Sequence, residues 1–105
     1  MSNPTLDALV EHYPTIIASM PATFTSHQFI LELARRHQRP YIEALYEYRG
    51  TGNRANSAPF QVLHGLLAKK LRAHDALVVL VRDNEPSTNI FGQSNQCALW
   101  KKLTP

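Results

Sequence analysis

His12, His27, His37, His64, His74 and Cys97 are the side chains of this sequence best suited to hold a metal. Zinc sites set their ligands in closely spaced pairs, and no pair here has zinc-finger or zincin spacing. No metal site is therefore expected. Gly50 and Gly52 lack the strand, the third glycine and the lysine that a phosphate-cradling loop needs. No serine stands in a nucleophile-elbow pattern, and His64 with Gly65 opens no catalytic signature. The sequence gives no catalytic residue and no cofactor, and an enzyme is not expected.

The other chemistry within reach is attraction of a polyanion. Before Arg35 the chain has three acids (Asp7, Glu11, Glu32) and no Lys or Arg, whereas from Arg35 onward it has eleven bases and five acids. The balance thus shifts from −3 to +6, although the whole chain carries only +3. Such asymmetry points to a partner such as nucleic acid, and equally to an ordinary solvated surface.

The bases concentrate around one helical pattern. Ser57 is a natural N-cap, Pro59 suits a first turn, and the pattern runs over residues 59 to 73. Phe60, Leu63, Leu67 and Leu71 share one face, with Val62 and Leu66 widening it. The opposite side presents Gln61, Gly65, Ala68, Lys69 and Arg72. Gly65 and Ala68 are small enough to let a surface approach the backbone. Gln61 can pair with a base edge, and Lys69 and Arg72 can reach phosphates. Arg54, Asn56 and Ser57 stand just before the helix N-terminus, whose unpaired N–H groups and dipole attract phosphate. The plainer reading of this face is a solvated one, with its bases serving solubility. Lys70 falls in the apolar arc and must run its stem along the core edge.

Other elements must hold that helix in place. Leu6, Leu9, Val10, Tyr13, Ile16, Ile17 and Met20 recur at helical spacing, but Pro14 removes a backbone hydrogen bond. A kink or a break into two short helices is expected near Tyr13. Ala22 to Thr25 reads as a short extended piece. Thr25 and Gln28 have capping-box spacing, with Ser26 as an alternative cap, and a helix follows that buries Phe29, Ile30, Leu33 and Ala34. His37 falls near its C-terminus as a satisfied or capping side chain. A Gln38-Arg39-Pro40 turn leads to a further helix through about Arg49, buried through Tyr41, Ile42, Leu45 and Tyr48. Its tyrosines, Tyr41, Tyr46 and Tyr48, are expected to pack between helices and not to stack on bases. Residues 50 to 58 form the clearest loop.

After the basic helix comes a β-hairpin. Residues 76 to 82 include the apolar run Leu77 to Val81, which reads as a strand buried on both faces or placed centrally in a sheet. Residues 97 to 103 alternate, with Ala98, Trp100 and Lys102 on one face and Cys97, Leu99, Lys101 and Leu103 on the other. The fourteen residues 83 to 96 between them form a long loop. In it Ile90 and Phe91 are expected to fold back on the sheet.

Helix, short strand, helices, strand, loop, strand is an order that resembles the winged helix-turn-helix family over essentially the whole chain. The resemblance implies an α+β fold, winged-helix-like, with N-terminal helices followed by a C-terminal β-hairpin. It also implies that helix 59 to 73 enters the major groove of double-stranded DNA while loop 83 to 96 acts as the wing, with Arg82 at its base. Two departures stand out. The helix from Pro40 to Arg49 and the loop after it replace a short turn, and the wing carries Asp83 and Glu85. Winged helices also serve as protein-interaction modules, so a protein adaptor is the alternative to a transcriptional regulator.

Composition fits this reading. At 105 residues the chain makes one domain, and 44% apolar content places it among ordinary globular proteins. No apolar run approaches the ~20 residues of a membrane span, and no secretory leader is expected. The single cysteine, Cys97, cannot staple the fold and suits a reducing cytoplasm. The long apolar stripe of the first helix and the doubly apolar strand suggest a homodimer.

Overall fold

Pro14 decides the shape of the N-terminal segment. The computed structural model describes residues 4–47, 59–88, 92 and 94–103, and in it the first helical stripe divides into α1 (Pro4–Val10) and α2 (Tyr13–Ser19). Pro14 lies in the first turn of α2, where its missing N–H costs nothing. The break keeps both halves on the core: Leu6, Leu9, Tyr13, Ile16, Ile17 and Met20 are all buried.

Strand β1 (Thr23–Thr25) follows and ends in the cap of α3 (Ser26–Arg36). Thr25 Oγ1 accepts the Gln28 N–H at 3.1 Å, while Gln28 Oε1 accepts the Thr25 N–H at 2.9 Å. That is the reciprocal capping box expected from the spacing. Ser26 is not the cap. Its buried hydroxyl accepts Trp100 Nε1–H at 2.9 Å.

Helix α4 (Gln38–Glu47) begins earlier than the sequence suggested. Gln38, Arg39 and Pro40 are its first turn, because a proline there removes an N–H that has no intrahelical partner. The burial expected of α4 is also partly corrected. Tyr41 and Ala44 are buried and Leu45 is half-buried, but Ile42 and Tyr46 are 61% and 63% exposed. Tyr48 lies outside the described residues, as do residues 50 to 58, the place of the expected loop.

Helix α5 (Pro59–Arg72) leads through a tight turn into β2 (Val78–Thr88), and β3 (Ser94–Lys102) returns. The strand order is β1-β3-β2, all antiparallel, with β3 central. In register, Trp100 faces Phe24 on one side and Leu80 on the other. Phe24 and Trp100 are buried under the helices.

Two expectations about the hairpin are corrected. The supposed loop 83 to 96 is mostly ladder, since Glu85, Pro86, Ser87 and Thr88 pair with Cys97, Gln96, Asn95 and Ser94. Backbone pairing needs no apolar side chains. Irregularities between Leu80 and Arg82 and between Arg82 and Glu85 absorb the register, and Pro86 is tolerated because β2 is an edge strand. The run Leu77 to Val81 is also not buried on both faces. Val78 is buried, whereas Val79 and Val81 are 44% and 46% exposed, because helices cover only one side of the sheet. Ile90 and Phe91 lie outside the described residues.

The result is an α+β fold, with N-terminal helices followed by a small antiparallel sheet, compatible with a winged-helix-like arrangement. No described helix is long and apolar enough to cross a membrane.

Candidate nucleic-acid interface

Helix α5 is fixed to the core by its leucines. Leu63, Leu67 and Leu71 recur every fourth residue and are fully buried. Three polar contacts then set its position. The Tyr13 hydroxyl donates to the Leu67 carbonyl at 2.6 Å, and burial pushes the Tyr13 pKa strongly upward. His64 Nε2 lies 2.6 Å from the Tyr41 hydroxyl of α4. Burial first, and the nearby His27 second, push the His64 pKa down to about 4. The imidazole is therefore uncharged at neutral pH and shares this hydrogen bond with the Tyr41 hydroxyl, whose pKa burial raises to about 12. At the C-terminus, His74 Nδ1 lies 3.0 Å from the Lys70 carbonyl, and its ring stacks on Tyr13. A carbonyl can only accept, so Nδ1 carries the proton.

With the leucines inward, Gly65, Lys69 and Arg72 line the opposite face at i, i+4 and i+7, and all three are exposed. A Cβ built on Gly65 meets nothing within 4 Å, so the helix backbone there is open to approach. Ala68 is half-buried beside this row, and Lys70 is half-buried as its place in the apolar arc requires. Gln61 belongs to α5 one turn before Gly65. Arg54, Asn56 and Ser57 lie outside the described residues.

The electrostatics moderate this face. Arg72 pairs with Asp83 at 3.1 Å, and Arg82 pairs with Glu85 at 3.4 Å, all four side chains belonging to the α5–hairpin half of the chain. Arg36 is held by Glu32 on α3. Lys102 is used within the fold, where its Nζ donates to the Ala18 and Met20 carbonyls and caps the end of α2. Among the described residues Lys69, Lys70 and Lys101 form no ion pair. Lys69, Lys70 and Arg72 also complement the negative end of the α5 dipole, a purely structural use of the same charges.

Sequence reasoning missed the acid partners. Asp83 reaches Arg72 only because β2 starts a few residues after α5 and carries its acids back past the helix end. The acids were visible, but their reach was not. It also missed a histidine pair. His12, between α1 and α2, and His37, between α3 and α4, stack with ring centroids 3.6 Å apart. Desolvation, then His12, then Arg36 lower the His37 pKa. Parallel rings cannot aim two nitrogens at one ion. Among the described residues no three His, Cys, Asp or Glu side chains converge as a metal site would require. His27 Nδ1 is buried and, among the described residues, has no hydrogen-bond partner.

The chain matches no protein-family model, no curated protein and no solved structure.

Proposed function

We propose that this chain is a small double-stranded DNA-binding protein of the winged-helix kind, a transcriptional regulator that reads DNA with α5 and touches the backbone with the β2–β3 hairpin. A reducing, cytoplasmic setting suits its lone cysteine. The observation that carries the reading is the α5 face itself. A helix anchored by three buried leucines presents an open glycine followed along the same face by Lys69 and Arg72, and it runs directly into a hairpin in the strand order β1-β3-β2. An α-helix with a small residue at its centre and basic side chains in its last turn fits a major groove, where those side chains contact phosphates and the backbone comes close to base edges. In this role Lys69 and Arg72 supply sequence-independent attraction, Gly65 and Ala68 permit close approach, and Gln61 reads a base. Arg54, Asn56 and Ser57 take a phosphate at the helix N-terminus, and Arg82 serves the wing.

The test is duplex binding at low and moderate salt, with Gly65→Glu as the decisive variant. Gly65 is open to solvent, so a glutamate there leaves the fold intact and puts bulk and negative charge at the closest approach. The parent should bind in a salt-sensitive way and the variant should not. A parent with no salt-sensitive binding, or a folded variant that binds equally well, rejects the proposal.

A second reading has its own observation. The bases Arg72 and Arg82 are matched by Asp83 and Glu85, and the outer face of the sheet exposes Val79 and Val81. Neutralised charge beside exposed apolar side chains suits a protein partner better than a polyanion. The same titration decides between them.

A further inference from the structure

The two most exposed large apolar side chains among the described residues, Ile42 and Tyr46, stand on successive turns of one helix. Helix α4 turns Tyr41 and Ala44 inward, where it packs on α1, α3 and α5. Its other face is the row Arg39, Ile42, Glu43 and Tyr46, spaced i, i+3, i+4 and i+7, and all four are exposed. Single apolar residues on a surface are ordinary. Here two lie side by side, next to a shallow open depression lined by Gln38, Arg39, Ile42 and Glu43. Among the described residues neither Arg39 nor Glu43 has an ion-pair partner.

We propose that this face of α4 is a two-fold contact between two copies of the chain, with the α4 helices antiparallel. The charge pattern selects the occupant. A base and an acid one turn apart, flanking an isoleucine, are complementary to their own antiparallel copy. Arg39 then meets Glu43 and Tyr46 of the second copy, Glu43 meets the second Arg39, and the two Ile42 side chains meet at the axis. A parallel copy would set like charge against like. Such a contact is isologous, so each pairing occurs twice. The tyrosine ring under Arg39 adds a cation–π contact.

The other exposed apolar area fits a second copy less well. On the outer face of the sheet Val79 pairs in register with Lys101. A two-fold centred there would bring Lys101 toward its own copy with no acid to meet it. The open edge of β2 is blunted by register breaks, by Arg82, Asp83 and Glu85, and by Pro86.

The contact is small. A ten-residue helix is only about 15 Å long, which keeps the buried area below the roughly 800 Å² per partner of a standard interface. Association is therefore reversible, with a Kd on the order of tens of micromolar.

Sedimentation equilibrium of the full chain from ~1 to ~500 µM, a range that brackets such a Kd, tests this. The average mass of the parent should rise from one chain toward two. Ile42→Glu, at a solvent-facing position, should leave the circular dichroism spectrum unchanged and move the midpoint up by roughly tenfold or more. Arg39→Glu and Glu43→Arg should each weaken association, and the double variant Arg39→Glu/Glu43→Arg should restore it. That rescue is specific to an antiparallel self-contact. A parent that stays monomeric throughout overturns the proposal. So does a dimer that Ile42→Glu leaves intact while Val81→Glu disrupts it, or a double variant no better than the single ones.

Discussion

Arg72 at the end of α5 donates to Asp83 Oδ1 at 3.1 Å, joining the proposed reading helix to the middle of β2. Both side chains are largely exposed, so the pair adds little to stability. Its effect falls on the partner. A carboxylate on Arg72 holds the place a DNA phosphate would take in the proposed complex, so a phosphate contact through Arg72 would have to displace Asp83.

Asp83→Asn should therefore raise affinity for duplex DNA about 2- to 5-fold at low salt, and steepen the dependence of log K on log salt by up to ~1. Melting should be nearly unchanged. Fluorescence anisotropy at several salt concentrations measures both. Equal affinity and slope in parent and variant would mean that Arg72 meets no phosphate.

Lys69→Ala combined with Arg72→Ala should lower affinity for every duplex by a similar factor and flatten the salt slope by up to ~2. Gln61→Ala should instead cost ~1–3 kcal/mol on a preferred site and much less on random DNA. A competition assay separates the two patterns. Uniform loss from Gln61→Ala would remove its base-reading role.

Leu67 is fully buried beneath α5. Leu67→Ala should cost ~2–5 kcal/mol in chemical denaturation through the cavity it opens. Ser26→Ala takes the acceptor from a buried indole N–H and should cost ~1–3 kcal/mol. A loss under ~0.5 kcal/mol in the second case would mean that water replaces the hydroxyl.

Stability should fall in acid. The His64 pKa is depressed to about 4 in the folded chain, so the unfolded chain binds more protons between about 6.5 and 4. Its contribution is fully present above about 6.5 and lost as pH falls toward about 4. His64 keeps some solvent access, and with screening allowed for the loss is about 1–2 kcal/mol. Burial lowers His27 and His37 as well, which steepens the same decline. Urea denaturation at a series of pH values checks the sign, and His64→Gln should flatten part of the slope.

Much of the fold was legible because it is written locally. Pro14 breaks a helix wherever the chain goes, and Thr25 with Gln28 forms a capping box from residues three apart. The leucines at 63, 67 and 71 fix the phase of α5 through helical spacing alone, which is why Gly65, Lys69 and Arg72 emerged on one exposed face as expected. The inward face of β3 followed from alternation, and Trp100 proved buried.

What the sequence by itself determined was therefore element type, helical phase and the outward row of α5. Tertiary structure alone decided which apolar residues find cover and which charges find partners. Ile42 and Val79 look like core by composition, yet they are exposed because the helices cover one face of the sheet and α4 turns Tyr41 and Ala44 inward. The ladder from Glu85 to Thr88 is polar and gave no strand pattern, because backbone hydrogen bonds form without regard to side-chain hydropathy. Arg72 with Asp83, His12 with His37 and Trp100 with Ser26 each join separate elements. Spacing along the chain carries no information about such distances, since they are set by how packed elements cross, and that geometry exists only once the core has formed.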